Sequence, residues 1–168
     1  MAAGEELIMP LPSWLPPVVL FEEFKGDWNK YLTLLYEIFK SDFIDSGCKY
    51  RGIKIAIKRH PQIENKEATF WHLISEGKDE SERIPDLRRC ERIKWPKPII
   101  ENVPVDEIKV WQNKRGSETR LCLWLEVAEY LVILAERNNY LLLWTAYPVT
   151  ENHMKKKLFK EYKNALKS

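Results

Sequence analysis

Three short stretches of this chain carry side chains suited to chemistry. The first is TFWHLIS at 69–75, where His72 stands beside Trp71 with Thr69, Ser75 and Glu76 close in sequence. An imidazole has its ordinary pKa near neutrality, which suits a group that takes up and returns a proton. Without its neighbours the same residue also reads as a half-buried histidine donating to a backbone carbonyl. His60, before a proline, and His153, at a helix start, are less organised. The second stretch is ERIPDLRRCERIKWPKP, where Arg83, Arg88, Arg89, Arg92, Lys94 and Lys97 outnumber the acids Asp86 and Glu91. With Leu87, Cys90 and Ile93 or Ile84 turned inward, Arg88, Arg89 and Arg92 project together. Planar guanidinium forks match phosphate oxygens, and Trp95 offers a stacking face for a base. Pairing of these arginines with the acids at 76–82 is the competing reading. The third is WTAYPV, where Thr145 and Tyr147 lie two apart, so both hydroxyls emerge on one face of a strand. They orient a phosphate or protonate a leaving group, or else they are a strand-favouring threonine and a tyrosine anchoring the sheet edge.

Other chemistries find no support. The six glycines are scattered, with no phosphate-cradling loop, and neither HExxH nor GxSxG occurs. Three histidines without an aspartate cluster predict no metal centre, and no cofactor is expected. Cys48, Cys90 and Cys122 are an odd, unclustered set, which argues against disulfides or a zinc site and fits a reducing cytoplasm.

The elements that must position these groups centre on residues 119–149. There Leu121, Leu123 and Leu125 alternate with Arg120, Cys122 and Trp124, and Leu131, Ile133 and Ala135 with Tyr130, Val132 and Leu134. Leu141, Leu143 and Thr145 then alternate with Leu142, Trp144 and Ala146. A period of two predicts strands, and Asn138-Asn139 predicts a tight hairpin turn because Asn tolerates positive φ. Bulky groups on both faces predict helices covering at least one side. IKVWQNK at 108–114 predicts a further strand, turned by Arg115-Gly116-Ser117.

Upstream, residues 1–26 read as an extended arm punctuated by Pro10, Pro12, Pro16 and Pro17, lying across the domain or reaching a neighbouring subunit. Asp27 is the expected N-cap of a helix whose stripe is Trp28, Tyr31, Leu35, Phe39 and Phe43, joined by Leu32 and Ile38. Ile53, Ile55 and Ile57 alternating with Lys54, Ala56 and Lys58 predict a strand with one largely basic face. TFWHLIS reads as a second short strand. Asp86 is expected to cap a helical turn that stops before Pro96 and Pro98, followed by a loop or edge strand. After Pro148, Thr150 is the expected cap of a last helix with Leu158, Phe159, Tyr162, Ala165 and Leu166 inward. The expected fold class is α+β: an antiparallel sheet of four or more strands with amino- and carboxy-terminal helices packed on it.

At 168 residues the chain is one domain in this reading: the arm at 1–26, a helix and strand at 27–67, and the core at 68–168. The net charge of +2 hides an asymmetry. Residues 1–48 hold three Lys against eight acids, a balance of −5, and the rest 24 bases against 17 acids, a balance of +7. A basic region points to a polyanion, though scattered lysines also make an ordinary solvated surface. With no basic-then-apolar leader, and with prolines breaking the first apolar run, a soluble cytoplasmic protein without a membrane span is expected.

The succession of TFWHLIS, ERIPDLRRCERIKWP, the paired strands ending LAERNNYLLLWTAYPV and a basic helix resembles the phage-associated branch of the barnase, EndoU, colicin and RelE-like (BECR) nucleases. The resemblance covers about residues 68–166. It implies helices on a four-stranded antiparallel sheet and a metal-independent ribonuclease of toxin, phage or mobile-element type. By that resemblance His72 is the acid–base residue, an arginine of the Arg88–Arg92 group, here Arg89, holds the phosphate, and Thr145 and Tyr147 line the site. Arg88, Arg92, Trp95 and Lys114 are the expected phosphate and RNA contacts. No second well-placed histidine is present; Glu76 or Glu126 is a candidate for its place. The expected partners are RNA as substrate, an immunity or antitoxin protein, and a second copy of the chain through the arm. The alternative is a non-catalytic nucleic-acid-binding or protein-interaction module on the same fold.

Overall fold

Asp27 does open the first helix, because its carboxylate accepts the Lys30 backbone N–H at 3.1 Å. The chain is described here from a computed structural model covering residues 10–167, so the arm is followed from Pro10 and its first nine residues lie outside the described residues. Helix α1 (Trp28–Lys40) buries Tyr31, Leu32, Leu35 and Phe39, and a π-turn (Ser41–Asp45) adds Phe43. This is the stripe that helical spacing predicts. The described part of the arm lies on its own domain. Val19 is buried, its N–H donates to the Glu91 carbonyl at 2.8 Å, and its own carbonyl accepts the Tyr31 hydroxyl at 2.7 Å.

Strands β1 (Lys49–Tyr50) and β2 (Ile53–Ala56) lead to α2 (Ala68–Ile74), then to a small hairpin of β3 (Ser75–Glu76) and β4 (Ile84–Pro85). Two short helices follow, α3 (Leu87–Glu91) and α4 (Pro96–Glu101). Then come β5 (Ile108–Arg115), β6 (Glu118–Leu125), β7 (Tyr130–Glu136), β8 (Leu141–Pro148) and α5 (Asn152–Leu166). The class is α+β. The sheet order is β1-β2-β8-β7-β6-β5, and all its pairings are antiparallel except β2 with β8. The sheet is therefore mixed, a correction to the antiparallel expectation. Alternation along β2 reports its faces and carries no information on the direction of a partner some 85 residues away.

The two faces bury separate cores. Leu121, Leu123, Leu125, Tyr130, Val132 and Leu134 face α1, α2 and α4, while Cys122, Trp124 and Leu131 face Leu158 of α5. Both faces are thus covered by helices. The Asn138-Asn139 turn is closed by the Arg137 N–H donating to the Tyr140 carbonyl at 3.0 Å.

Five local expectations change. Residues 68–74 are helical: Phe70, Leu73 and Ile74 are buried at i, i+3 and i+4, and packing on the sheet overrides the strand preference of Thr, Phe and Trp. Pro96 opens α4 at its first position, where a missing N–H costs nothing. Glu151 precedes α5 with no side-chain cap bond, and the Thr150 hydroxyl instead accepts from Arg88 at 3.3 Å. Phe159 and Leu166 of α5 are exposed. In β2, Ile55, which pairs with Leu141 of β8, is buried, and Ile53, which pairs only with Tyr50 of the short β1, is exposed.

Because the Tyr31 hydroxyl is the buried partner of the Val19 carbonyl, Tyr31→Phe should destabilise the fold by about 1–3 kcal/mol. In urea melts the midpoint should fall with an unchanged m-value. An unshifted midpoint would mean the arm contributes no anchoring there.

Candidate functional site

β8 is where the alternation slips. Ile133 pairs with Thr145 but Leu134 with Leu143, so Trp144 stands unpaired in a bulge. The bulge reverses the facing of the residues beyond it: Leu141, Leu143 and Ala146 share the α1-side core, while Tyr147 packs with the α5-side one. The expected grouping of Leu143 with Thr145, and of Trp144 with Ala146, fails for this reason. Thr145 and Tyr147 keep a common face, pairing with Ile133 and Leu131. β2 pairs β8 only at Leu141 and Leu142, so the rest of that edge is free of strand, and α2 lies along it.

α2 is held at both ends. The Ala68 and Thr69 N–H groups donate to the Arg59 and Lys58 carbonyls at 3.2 and 3.0 Å, and the Tyr36 hydroxyl donates to buried Glu67 at 2.7 Å. At the other end two guanidinium groups cap the open carbonyls. Arg89 Nη1 donates to the carbonyls of His72 (3.2 Å) and Ser75 (2.7 Å). Arg83 donates to the Ser75 hydroxyl (3.0 Å), the Gly77 carbonyl (2.7 Å) and the Ser75 carbonyl. The carbonyl end of a helix carries partial negative charge, which draws both cations there. Gly77 has φ +137°, and a Cβ there would meet Arg83 Cα at 3.2 Å, so any other residue would be strained in this turn.

The result is a cleft of about 350 Å³ lined by Lys58, His72, Gly77, Lys78, Glu80, Arg83, Arg89, Trp144, Thr145 and Tyr147. His72, Arg89, Thr145 and Tyr147 are brought together in it. The Thr145 hydroxyl approaches the His72 carbonyl at 3.4 Å, and Arg89 lies 5.1 Å over the Tyr147 ring. His72 Nε2 sits 3.1 Å from Glu80 Oε1, which also accepts from Lys58 Nζ at 3.2 Å. Trp144 meets the His72 ring edge-on at 6.4 Å, with the Arg120 guanidinium 5.0 Å over its own ring.

Burial, and then Arg83, pull the His72 pKa below its ordinary 6.5, against the smaller opposing pull of Glu80. The neutral imidazole is favoured. Burial raises Glu80, but its bonds to Lys58 and His72 outweigh that and keep it ionised. Burial raises the Tyr147 phenol, so it stays protonated. Four cations surround one carboxylate, an imidazole and a phenol: a setting for an anion with proton transfer at hand.

The other expected contacts are elsewhere. Trp95 is buried and donates to the Pro16 carbonyl at 2.8 Å, so it is a core anchor for the arm and no stacking platform. Arg92 lies over Trp95 at 5.1 Å and donates to the Arg88 carbonyl at 2.9 Å. Arg88 turns outward to Thr150, because successive residues of a helix are about 100° apart around its axis. Leu87 and Ile84, expected inward, are exposed. Lys114 is on β5, the far edge of the sheet, with two strands between it and β8. Glu76 is exposed, and Glu126 is paired with Lys109 at 2.5 Å; neither reaches His72. The carboxylate beside His72 is Glu80, which residue order does not single out, and the same holds for Lys58, Lys78 and Trp144. A partial signal lies in GKDESER, where Asp79 accepts the Ser81 N–H at 3.1 Å and builds a tight turn. Among the described residues no three His, Cys, Asp or Glu side chains gather as a metal-binding group, and no helix is long and apolar enough to cross a membrane.

No family model matches the chain, and no curated protein or solved structure shows significant similarity to it.

The lowered His72 pKa has a definite sign. Below 6.5 the unfolded chain takes up a proton that the folded one resists, so stability should fall as pH drops from 6.5 through the folded value. Above 6.5 His72 should add no pH dependence. Proton NMR of the ring should show half-protonation below 6.5; a value above it would mean that Glu80 dominates the site.

Proposed function

We propose that the cleft is the active site of a metal-independent endoribonuclease of the BECR kind, cleaving RNA by transesterification. One observation carries this reading: a neutral-leaning imidazole, two guanidinium groups, two lysines and a protonated phenol, drawn from residues 58 to 147, line a single cleft. In-line attack of a ribose 2′-hydroxyl on the adjacent phosphate needs a base, an acid and cations around the phosphorane. His72 accepts the 2′-hydroxyl proton as the 2′-oxygen–phosphorus bond forms. Arg83, Arg89, Lys58 and Lys78 balance the charge gathering on the phosphoryl oxygens. Tyr147 donates its proton to the departing 5′-oxygen as that bond breaks, and Thr145 orients the phosphate. The products are a 2′,3′-cyclic phosphate and a 5′-hydroxyl. In the free protein the ionised Glu80 engages both Lys58 and His72, and an entering phosphate competes with it for Lys58.

A toxin or a phage- or mobile-element effector is the setting this chemistry suits, with an immunity or antitoxin protein as its partner. A second reading, a nucleic-acid-binding module without catalysis, is favoured by one observation. His72 Nε2 is already engaged by Glu80, and Arg83 and Arg89 already serve backbone carbonyls. That reading gives salt-sensitive RNA binding, weakened when Arg88 and Arg89 are replaced, and no cleavage.

Purified protein should cut RNA in excess chelator and leave 2′,3′-cyclic ends. His72→Ala should lower kcat by about 10²- to 10⁴-fold with RNA binding retained. Because the base form is required and the pKa is lowered, activity should hold as pH falls to 6.5 and decline only below it. Undiminished cleavage by His72→Ala would remove the base from the scheme, and binding without any cleavage would select the second reading.

A further inference from the structure

α5 is more basic than its packing requires. Leu158 is its buried residue, with Met154, Tyr162 and Ala165 partly packed against Trp111, Trp124 and Leu131. Facing outward, Lys156, Lys160, Lys163 and Lys167 are all exposed and follow one another at i, i+4, i+7 and i+11. This spacing is a single stripe along a helix, with an ammonium group every ~4.5–6 Å of its length. Like charges so placed repel and weaken the helix unless something neutralises them. The nearby acids are committed elsewhere: Glu126 to Lys109, Glu129 to Lys155, and Glu161 to Trp111 Nε1 (3.4 Å) and Asn113 Nδ2 (3.3 Å). Among the described residues Lys156, Lys160 and Lys167 have no carboxylate partner, and Lys163 lies over the Phe159 ring at 5.3 Å.

Beside the stripe runs an apolar ledge. Phe159 is 41% exposed and Leu166 62%, seven residues apart on one flank. Phe159 also borders an open groove of about 340 Å³ walled by Trp124, Lys155, Lys156, Lys160 and one carboxylate, Glu126, which Lys109 holds at 2.5 Å. A row of cations without carboxylate partners, beside an exposed aromatic ring, matches a nucleic-acid strand, phosphates on the lysines and a base on the ring. An anionic membrane fits less well. The other apolar side chains of α5 are turned onto the sheet, leaving Phe159 and Leu166 as its exposed apolar groups.

We propose that the outward face of α5 is a docking surface for single-stranded RNA, apart from the cleft. As the place where a long substrate is held, it rests on the ribonuclease reading above; as a binding surface, it does not. The test compares the full chain with Lys156→Gln/Lys160→Gln/Lys163→Gln, and with a control of equal charge loss, Lys30→Gln/Lys49→Gln/Lys54→Gln. Binding of a fluorescent 2′-O-methyl single strand of about 20 nucleotides, which cannot undergo 2′-attack, is followed by anisotropy across a salt series. The α5 variant should bind at least about tenfold more weakly, with a log–log salt slope shallower by about 2, while the control changes little. Phe159→Ala should weaken binding about fivefold or more and leave the slope unaltered. Cleavage assays keep the two proposals apart. With wild-type activity present, the α5 variant should raise KM for long RNA and leave a dinucleotide substrate unaffected. If wild type cuts nothing yet the α5 variant loses binding, the ribonuclease reading fails and the docking surface stands. Equal loss in both triple variants, no loss in either, or sedimentation with anionic vesicles in preference to RNA would overturn the docking surface.

Discussion

The carbonyl end of α2 is held by Arg83 and Arg89, and the placement of His72, of the 77–83 loop and of α3 depends on that capture. Helix carbonyls left open inside a protein must find donors, and here two guanidinium groups reach the same pair, those of His72 and Ser75. Arg83 arrives from the far side of the 77–83 loop and Arg89 from α3. The same bonds therefore fix the loop carrying Lys78 and Glu80, the helix carrying His72, and α3 to one another. Placing two cations this close has a cost: burial and Arg89 together lower the Arg83 pKa from its ordinary value. The helix carbonyls, Asp86 near Arg89 and the face of the Tyr147 ring offset it.

Against this cap lies an edge of β8 that strand pairing leaves open. β2 runs parallel to β8 for two residue pairs and stops, and α2 takes over the space beyond. The bulge at Trp144 then turns Thr145 and Tyr147 away from the larger core while keeping both on one face. A regular strand would have aimed them differently. Bulges often re-aim side chains beside functional sites, and this one sets the indole between His72 and Arg120.

The cleft gathers four cations around one carboxylate, Glu80. Glu80 shares one oxygen between Lys58 and His72, while Arg89 commits Nη1 to carbonyls and leaves Nη2 without a partner among the described residues. A guanidinium has five donors, so structural capping and phosphate binding are compatible in one side chain. Outside the cleft, the unpaired lysines of α5 extend positive potential along a second face. Positive charge in both places agrees with the excess of bases after residue 48.

Much of this was legible from the residues in order. Period-two runs located β5 to β8, Asp27 and the Tyr31–Phe43 stripe located α1, and the types His72, Arg89, Thr145 and Tyr147 were singled out by their chemistry. These are local properties: each depends on spacing along a few turns of backbone, so a linear reading captures them. The features that escaped it depend on partners far away in the chain. Residues 68–74 became helix because Phe70, Leu73 and Ile74 found a sheet to pack on, Trp95 became core because the arm crosses it, and β2 runs parallel because of where the chain returns. The sequence by itself determined α1, α5 and the strands β5 to β8, and which side chains are capable of chemistry. Only the tertiary structure decided which of them meet, since Glu80, Lys58 and Arg83 join His72 through loop closure and helix capping that no local pattern encodes.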